Sequence, residues 1–209
     1  MAVIQQGAVS WSGENPGIYL KDPARLDGGW TALALYFRIV ASAHGRGRGM
    51  LVLGEPEARA AFPEVPNVCL TDNVPLMRYL LAEFVPAFGA FRNLPAIGAI
   101  EPMQAAGGAT NASEHDAWSE TLEAPQVRLG MHWRGLGAPF AADVGPDLSA
   151  TGRHRMYSVF QGAGEASITI DDKPLAGVPI ERDFLGGKLS SAFLAFAESW
   201  IEETAGASR

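Results

Sequence analysis

The spacing of apolar residues changes along this 209-residue chain, and the changes divide it into elements. The first clear run is "WTALALYFRIVASAH". In extended geometry Leu33, Leu35, Phe37, Ile39 and Ala41 share one face, with Tyr36, Arg38, Val40 and Ser42 on the other. Both faces are largely apolar, which predicts a central strand covered on both sides. Residues 2 to 10 read as an earlier short strand, "GMLVLGE" as the strand that follows, and "NVCL" as a further extended segment. A helical turn is expected over "EPEARAAF".

At "TDNVPLMRYLLAEFVPAF" the period lengthens. Met77, Leu80, Leu81, Phe84 and Phe88 recur at steps of three and four, the stripe of a helix that faces a core. Asp72 is the expected N-cap, Pro75 falls in the first turn, and Pro86 ends or kinks the helix. Pro95, Pro102 and the Gly107–Gly108 pair then break any regular pattern, so a long loop or lid is expected there.

Alternation by two returns after residue 114. "EHDAWSETL" and "VRLGMHWRG" read as strands joined by "EAPQ", and "APFAADVG", "HRMYSVFQG" and "EASITIDDKPLAG" as further strands with a turn at "DDKP". The last element, "SSAFLAFAESWIEET", carries Phe193, Phe196, Ala197, Trp200 and Ile201 on one helical stripe, so it reads as an amphipathic helix. Together these elements predict one α+β domain over residues 1–209. Its expected form is a mostly antiparallel curved sheet or partly closed β-barrel, with a helical and loop insertion at about 72–113 and a C-terminal helix packed on the sheet.

Composition narrows the class. With 47% hydrophobic and 19% charged residues, the chain is too apolar for disorder, and 24 glycines with 14 prolines favour many short elements. A net charge of −7 disfavours a nucleic-acid partner, which needs a basic surface. The single cysteine, Cys69, forbids an internal disulfide and fits a reducing compartment. No apolar run spans a bilayer, and "MAVIQQGAVSW" lacks the features of a secretory leader, so a soluble cytoplasmic protein is expected.

Local motifs are few. In "HGRGRGM" the spacing of Gly45, Gly47 and Gly49 is not that of a dinucleotide loop, and a strand follows rather than a helix. A hairpin is expected instead, with Arg46 and Arg48 at its tip. His44, His115, His132 and His154 are dispersed, with no metal-binding spacing, so no metal ligand is assigned and a cofactor stays unknown.

Candidate chemistry comes from the strand pair after residue 114. A hairpin closed by Glu123 to Gln126 pairs Leu122 with Val127, Glu120 with Leu129, Trp118 with Met131 and Asp116 with Trp133. Glu120 then lies among Trp118, Leu122, Leu129 and Met131. Its carboxyl there either has a raised pKa, useful for acid–base work, or pairs with an arginine such as Arg38 or Arg128. His132 and His154 are the expected proton-transfer partners, and Arg38, Tyr36, Trp118, Trp133 and Tyr157 the expected ligand contacts. The leading expectation is a protein that binds a small, largely apolar molecule in a β-rich pocket. One alternative is a cofactor-independent hydrolase, isomerase, dehydratase or cyclase using Glu120 with a histidine. Another is an interaction protein that forms a homodimer.

Overall fold

The computed structural model describes residues 7–113 and 116–203. His115 lies outside the described residues. The chain opens with β1 (Gly7–Glu14), β2 (Gly17–Leu20), β3 (Ala32–Ser42), β4 (Gly47–Leu53) and β5 (Asn67–Thr71). Helix α1 (Val74–Glu83) and three 3-10 turns (Val85–Ala87, Gly89–Phe91, Pro95–Ala99) follow. Then come β6 (Met103–Gln104), β7 (Gly107–Ser113), β8 (Ala117–Ala124), β9 (Val127–Leu136) and β10 (Phe140–Val144). The chain ends through β11 (His154–Ile170), β12 (Lys173–Pro174), β13 (Glu181–Phe184), β14 (Gly187–Ser190) and β15 (Ala192–Glu203).

Thirteen strands form one sheet along the path β6-β5-β4-β3-β1-β15-β11-β9-β8-β7, with β2, β10 and β12 attached at its sides. All pairings are antiparallel except β5 with β6. The molecule is mostly β with one α-helix among the described residues, and its large sheet is mixed and is not a closed barrel. Its two end strands, β6 and β7, are separated only by Ala105 and Ala106, whose amides bond to Thr71 of β5 and Glu123 of β8. The strand β13–β14 pair is a separate hairpin.

Two cores lie on opposite faces of this sheet. Leu33, Leu35, Phe37 and Ile39 of β3 join α1 and the 3-10 turns in an outer core. Ala32, Ala34 and Tyr36 join an inner core, where the coiled sheet brings β3, β4 and β5 against β8, β9 and β11. Strand β3 is therefore buried on both faces, as its alternation predicts.

Helix α1 buries Leu76, Met77, Leu80 and Leu81. Its N-cap is Asn73 rather than the expected Asp72: the Asn73 side chain accepts from the Leu76 amide at 3.1 Å. Asp72 instead accepts from the Arg48 amide and pairs with its guanidinium. The Asn73 Nδ2 also donates to His44 O and Arg46 O, 3.0 Å each. The cap thus ties the β3–β4 hairpin to the helix. Gly45 takes φ 85° in that turn, a left-handed conformation that favours glycine. Gly49 serves the close approach of α1, since a Cβ there would lie 2.6 Å from Met77 Sδ.

Three further expectations are corrected. "EPEARAAF" forms turns without a helix. The irregular half of the insertion contains β6 and β7, because "GGATNAS" adds to the edge of β8. The C-terminal segment is strand β15, not a helix. Pairing with β1 and β11 along most of its length outweighs local propensity. A β-bulge explains the misleading pattern. Tyr157 pairs with Ser199 and Val159 with Phe196, so Ala197 and Glu198 together oppose Ser158. Ala197 takes φ 51°. The extra residue inverts the alternation, placing Phe193 and Trp200 on the same outer-core face although they are seven apart. That interval is also a helical repeat.

Candidate functional site

The β8–β9 hairpin turns at Pro125–Gln126, with Ala124 opposite Val127 and Glu120 opposite Met131. The register is two residues away from the predicted one. An even shift changes partners but keeps every side chain on its face. Glu120 thus remains on the apolar face and is 0% exposed. It accepts from Arg38 Nη2 at 2.8 Å, Trp118 Nε1 at 2.8 Å and Thr110 Oγ1 at 2.7 Å. Arg38 also pairs with Glu14 and lies 5.4 Å from the Tyr36 ring centroid. Burial first, then the Glu120 charge, pushes the Tyr36 hydroxyl up to about 12. Burial likewise raises the Glu14 carboxyl. Glu120, Arg38, Tyr36 and Trp118 therefore meet, in a satisfied network at the end of the inner core.

The two histidines are not brought to Glu120. His132 stands opposite Ser119 on the other face of the hairpin. It shares a polar groove of about 460 Å³ with Trp118, Trp133, Arg134 and Glu165. Burial and then Arg134 lower its pKa. His154 opens β11, buried against Phe84 at 5.0 Å between ring centroids, with Thr151 Oγ1 3.0 Å from its Nδ1. Its pKa is lowered by burial and then by Arg153. Trp133 is a core residue whose Nε1 donates to Gly17 O at 3.2 Å. Tyr157 is half-buried, and its hydroxyl accepts from Arg155 Nε at 3.1 Å.

An aromatic concavity lies elsewhere, over the outer face of β11 and β15. It encloses about 480 Å³. Tyr19, Phe193, Trp200, Met156 and Phe160 form its floor. The 3-10 segment around Phe88–Arg92, the loop from Val144 to Ala150, and hairpin β13–β14 form its walls. Such a volume lies within the range that accommodates small organic ligands.

Glu198, Asn15 and Arg182 are among the polar side chains that line this aromatic enclosure. Glu198 reaches it because the bulge at Ala197 turns it, together with Trp200, onto the face of Phe193. It is 3% exposed and accepts from Trp200 Nε1 at 2.7 Å and, at 3.5 Å, from Asn15 Nδ2. Burial pushes its carboxyl up to about 7, a rise that the hydrogen bonds from Trp200, Asn15 and Ser158 only partly offset. Asn15 follows β1, and its Oδ1 is buried with no hydrogen-bond donor. Arg182 comes from β13. Its guanidinium lies 5.5 Å from the Tyr19 ring centroid, 4.9 Å from that of Phe184 and 5.5 Å from that of Phe193. Burial lowers its pKa, and its Nε is buried without an acceptor. Burial also raises the pKa of Tyr19.

Sequence reasoning misses these four residues. The helical reading of 193–201 leaves Glu198 off the apolar stripe. The signal that could have found it is the alternation "AFLAF", which runs into an acid flanked by aromatics. Arg182 could be sought in "ERDFLGGKL", where two short segments flank Leu185 and Gly186, both at positive φ.

Among the described residues, no group of three or more His, Cys, Asp and Glu side chains is placed to hold a metal ion. No helix among them is long and apolar enough to cross a membrane. Cys69 is buried, and burial raises the pKa of its thiol. The chain matches no protein-family model, and comparisons with curated proteins and solved structures give no significant match.

Proposed function

We propose that this protein binds a small, largely apolar molecule in the aromatic cavity over β11 and β15. One observation carries the reading: a ligand-sized cavity whose aromatic walls are interrupted by Glu198, Asn15 and Arg182, two of them with a buried polar atom lacking a protein partner. An unpaired buried polar group costs about 1–3 kcal/mol, so two beside one cavity favour a bound partner over simple packing. In this reading the ligand contacts move from Arg38, Tyr36, Trp118, Trp133 and Tyr157 to Tyr19, Phe193 and Trp200. The test is a fluorescence titration with N-phenyl-1-naphthylamine, a neutral aromatic dye that brightens on leaving water. Saturable binding that Ala90→Trp blocks supports the reading, because Ala90 lines the cavity and indole would fill it. Binding unaffected by Ala90→Trp, or no binding either of this dye or of its sulfonated analogue, overturns it.

A second reading, a cofactor-independent enzyme, draws on Glu198 rather than Glu120. A buried carboxyl held near 7 can both give and take a proton at neutral pH, whereas Glu120 is occupied by three donors. Solvent deuterium exchange into a bound ligand, lost in Glu198→Gln, would favour this reading over passive binding.

A further inference from the structure

The aromatic cavity has an uneven charge. Apart from Glu198, its charged lining consists of Arg182 and Arg92. Arg92 is exposed at the wall, with Nη2 donating to Ala87 O at 3.2 Å. Arg182 is the deeper cation, and its surroundings differ from those of the other partly buried arginines. Arg38 is paired with Glu14 and Glu120, Arg48 with Asp72, and Arg155 with Asp143 and Glu203. Among the described residues no carboxylate lies within 4.0 Å of Arg182.

The acids nearest in sequence do not fill that role. Asp183 alternates to the opposite face of β13 and pairs with Lys188 at 2.7 Å. Glu181 also alternates away from Arg182 and is exposed. What Arg182 meets instead is three ring faces. Rings hold a guanidinium through their quadrupoles and leave its in-plane donors free. Those donors form a rigid fork that matches an oxyanion. The cation is thus positioned but not neutralised, beside an apolar enclosure.

We propose that the molecule held in this cavity is an amphipathic organic anion, with a carboxylate or similar oxyanion on Arg182 and a ring-bearing apolar body over Phe193 and Trp200. This inference rests on the proposed function of the cavity and adds the chemical class of its occupant. A neutral apolar molecule would fill the same space but leave the guanidinium without a counter-charge. A cation would be repelled by it. Net charge supports selection by this residue rather than by general attraction. The chain as a whole carries −7 and repels anions at long range, so an anion that binds must be held locally.

Two dyes with one ring system separate the inference from its foundation. N-phenyl-1-naphthylamine is neutral, and 8-anilinonaphthalene-1-sulfonate is the same framework with a sulfonate. Both are titrated against the full chain, Arg182→Met and Arg182→Lys. Methionine keeps the apolar length of the side chain without the charge, and lysine keeps the charge without the fork.

The wild-type chain is expected to bind the sulfonate dye about 10- to 100-fold more tightly than the neutral one, the range of a charge-assisted hydrogen bond. Arg182→Met is expected to lose that preference while holding the neutral dye within about threefold of wild type, and Arg182→Lys to retain part of the preference. Equal affinity of the wild-type chain for the two dyes overturns the anion inference and leaves the cavity reading standing. So does an unchanged preference in Arg182→Met. Failure of both dyes to bind the wild-type chain overturns the cavity reading itself. If Arg182→Met loses both dyes, Arg182→Lys decides: a restored preference for the sulfonate supports the inference, and equal affinity for the two dyes overturns it.

Discussion

Ala197 holds φ 51° immediately before Glu198, and that one left-handed residue sends the Glu198 carboxyl into the aromatic cavity. A regular strand would keep Glu198 on the face of Trp200 but put both opposite Phe193, away from the shared aromatic floor. The left-handed region costs an L-residue about 1–2 kcal/mol. The β15 bulge therefore stores strain where the structure places its most unusual carboxyl.

Replacing Ala197 by glycine should relieve that strain. After allowance for the greater freedom of glycine in the unfolded chain, a net gain of about 0.5–1 kcal/mol is expected. Ala197→Val should lose more than 1 kcal/mol, since β-branching penalises positive φ further. Urea denaturation midpoints measure both. A stabilising valine would contradict the assigned backbone conformation.

Glu198 gives stability a defined pH dependence. Its carboxyl titrates near 7 in the folded protein and near 4.5 when unfolded, so between these values the folded state holds the extra proton. Stability conferred by this group is complete below 4.5 and declines as pH rises towards 7. The loss is about 3 kcal/mol at its upper bound. Glu198→Gln should flatten this slope and be more stable than wild type at pH 8. Denaturation at pH 5 and pH 8 checks the sign.

Removing Glu120 should act on stability and leave the cavity intact. Glu120→Ala takes one acceptor from half-buried Arg38, which keeps Glu14, and removes the acceptor of half-buried Trp118 Nε1 and exposed Thr110 Oγ1. A cost of about 1–3 kcal/mol is expected, since the guanidinium keeps its pair with Glu14. Dye affinity of the folded fraction should stay within twofold of wild type. Selective loss of dye binding with unchanged stability would reassign Glu120 to the site.

Asn73 joins two elements through one side chain. Asn73→Ala removes the cap on α1 and both bonds to the β3–β4 turn. The expected loss is about 2 kcal/mol, with faster amide exchange at Gly45 and Leu76 than elsewhere. Gly45 donates to Ser42 O in this turn, and Leu76 donates to the cap itself. Exchange raised uniformly across the chain would show global destabilisation instead.

Particular residues show how far the sequence could be read. The two faces of β3 were legible because its alternation is unbroken, and α1 because its stripe agrees with its core contacts. Glu120 was legible as a buried carboxyl in need of a partner, and Arg38, one of the two suggested partners, is the one it has. A two-residue error in register did not disturb that reading, since only an odd slip exchanges faces. Strand β15 was not legible, because its bulge imitates a helical interval. Arg182 and Asn15 were out of reach for another reason. Asn15 meets Glu198 through the pairing of β1 with β15, and Arg182 meets Tyr19 through the Ser191 bonds to Ile180 and Tyr19, contacts distant in sequence that no local period encodes.

Hairpin β13–β14 forms no ladder with the large sheet, and its flanks are tied by the Lys21–Val178 bridge and by the bonds of Ser191 to Tyr19 and Ile180. The cation and the carboxyl of the cavity are therefore carried by parts with different freedom to change. Glu198 belongs to a strand paired along both edges. Arg182 rides on a short two-stranded hairpin outside that sheet, held at its flanks by the Lys21–Val178 bridge and the Ser191 bonds. The vessel and its stopper are thus separate pieces of chain, and under the proposed reading a change confined to the hairpin would retune head-group preference without disturbing the carboxyl.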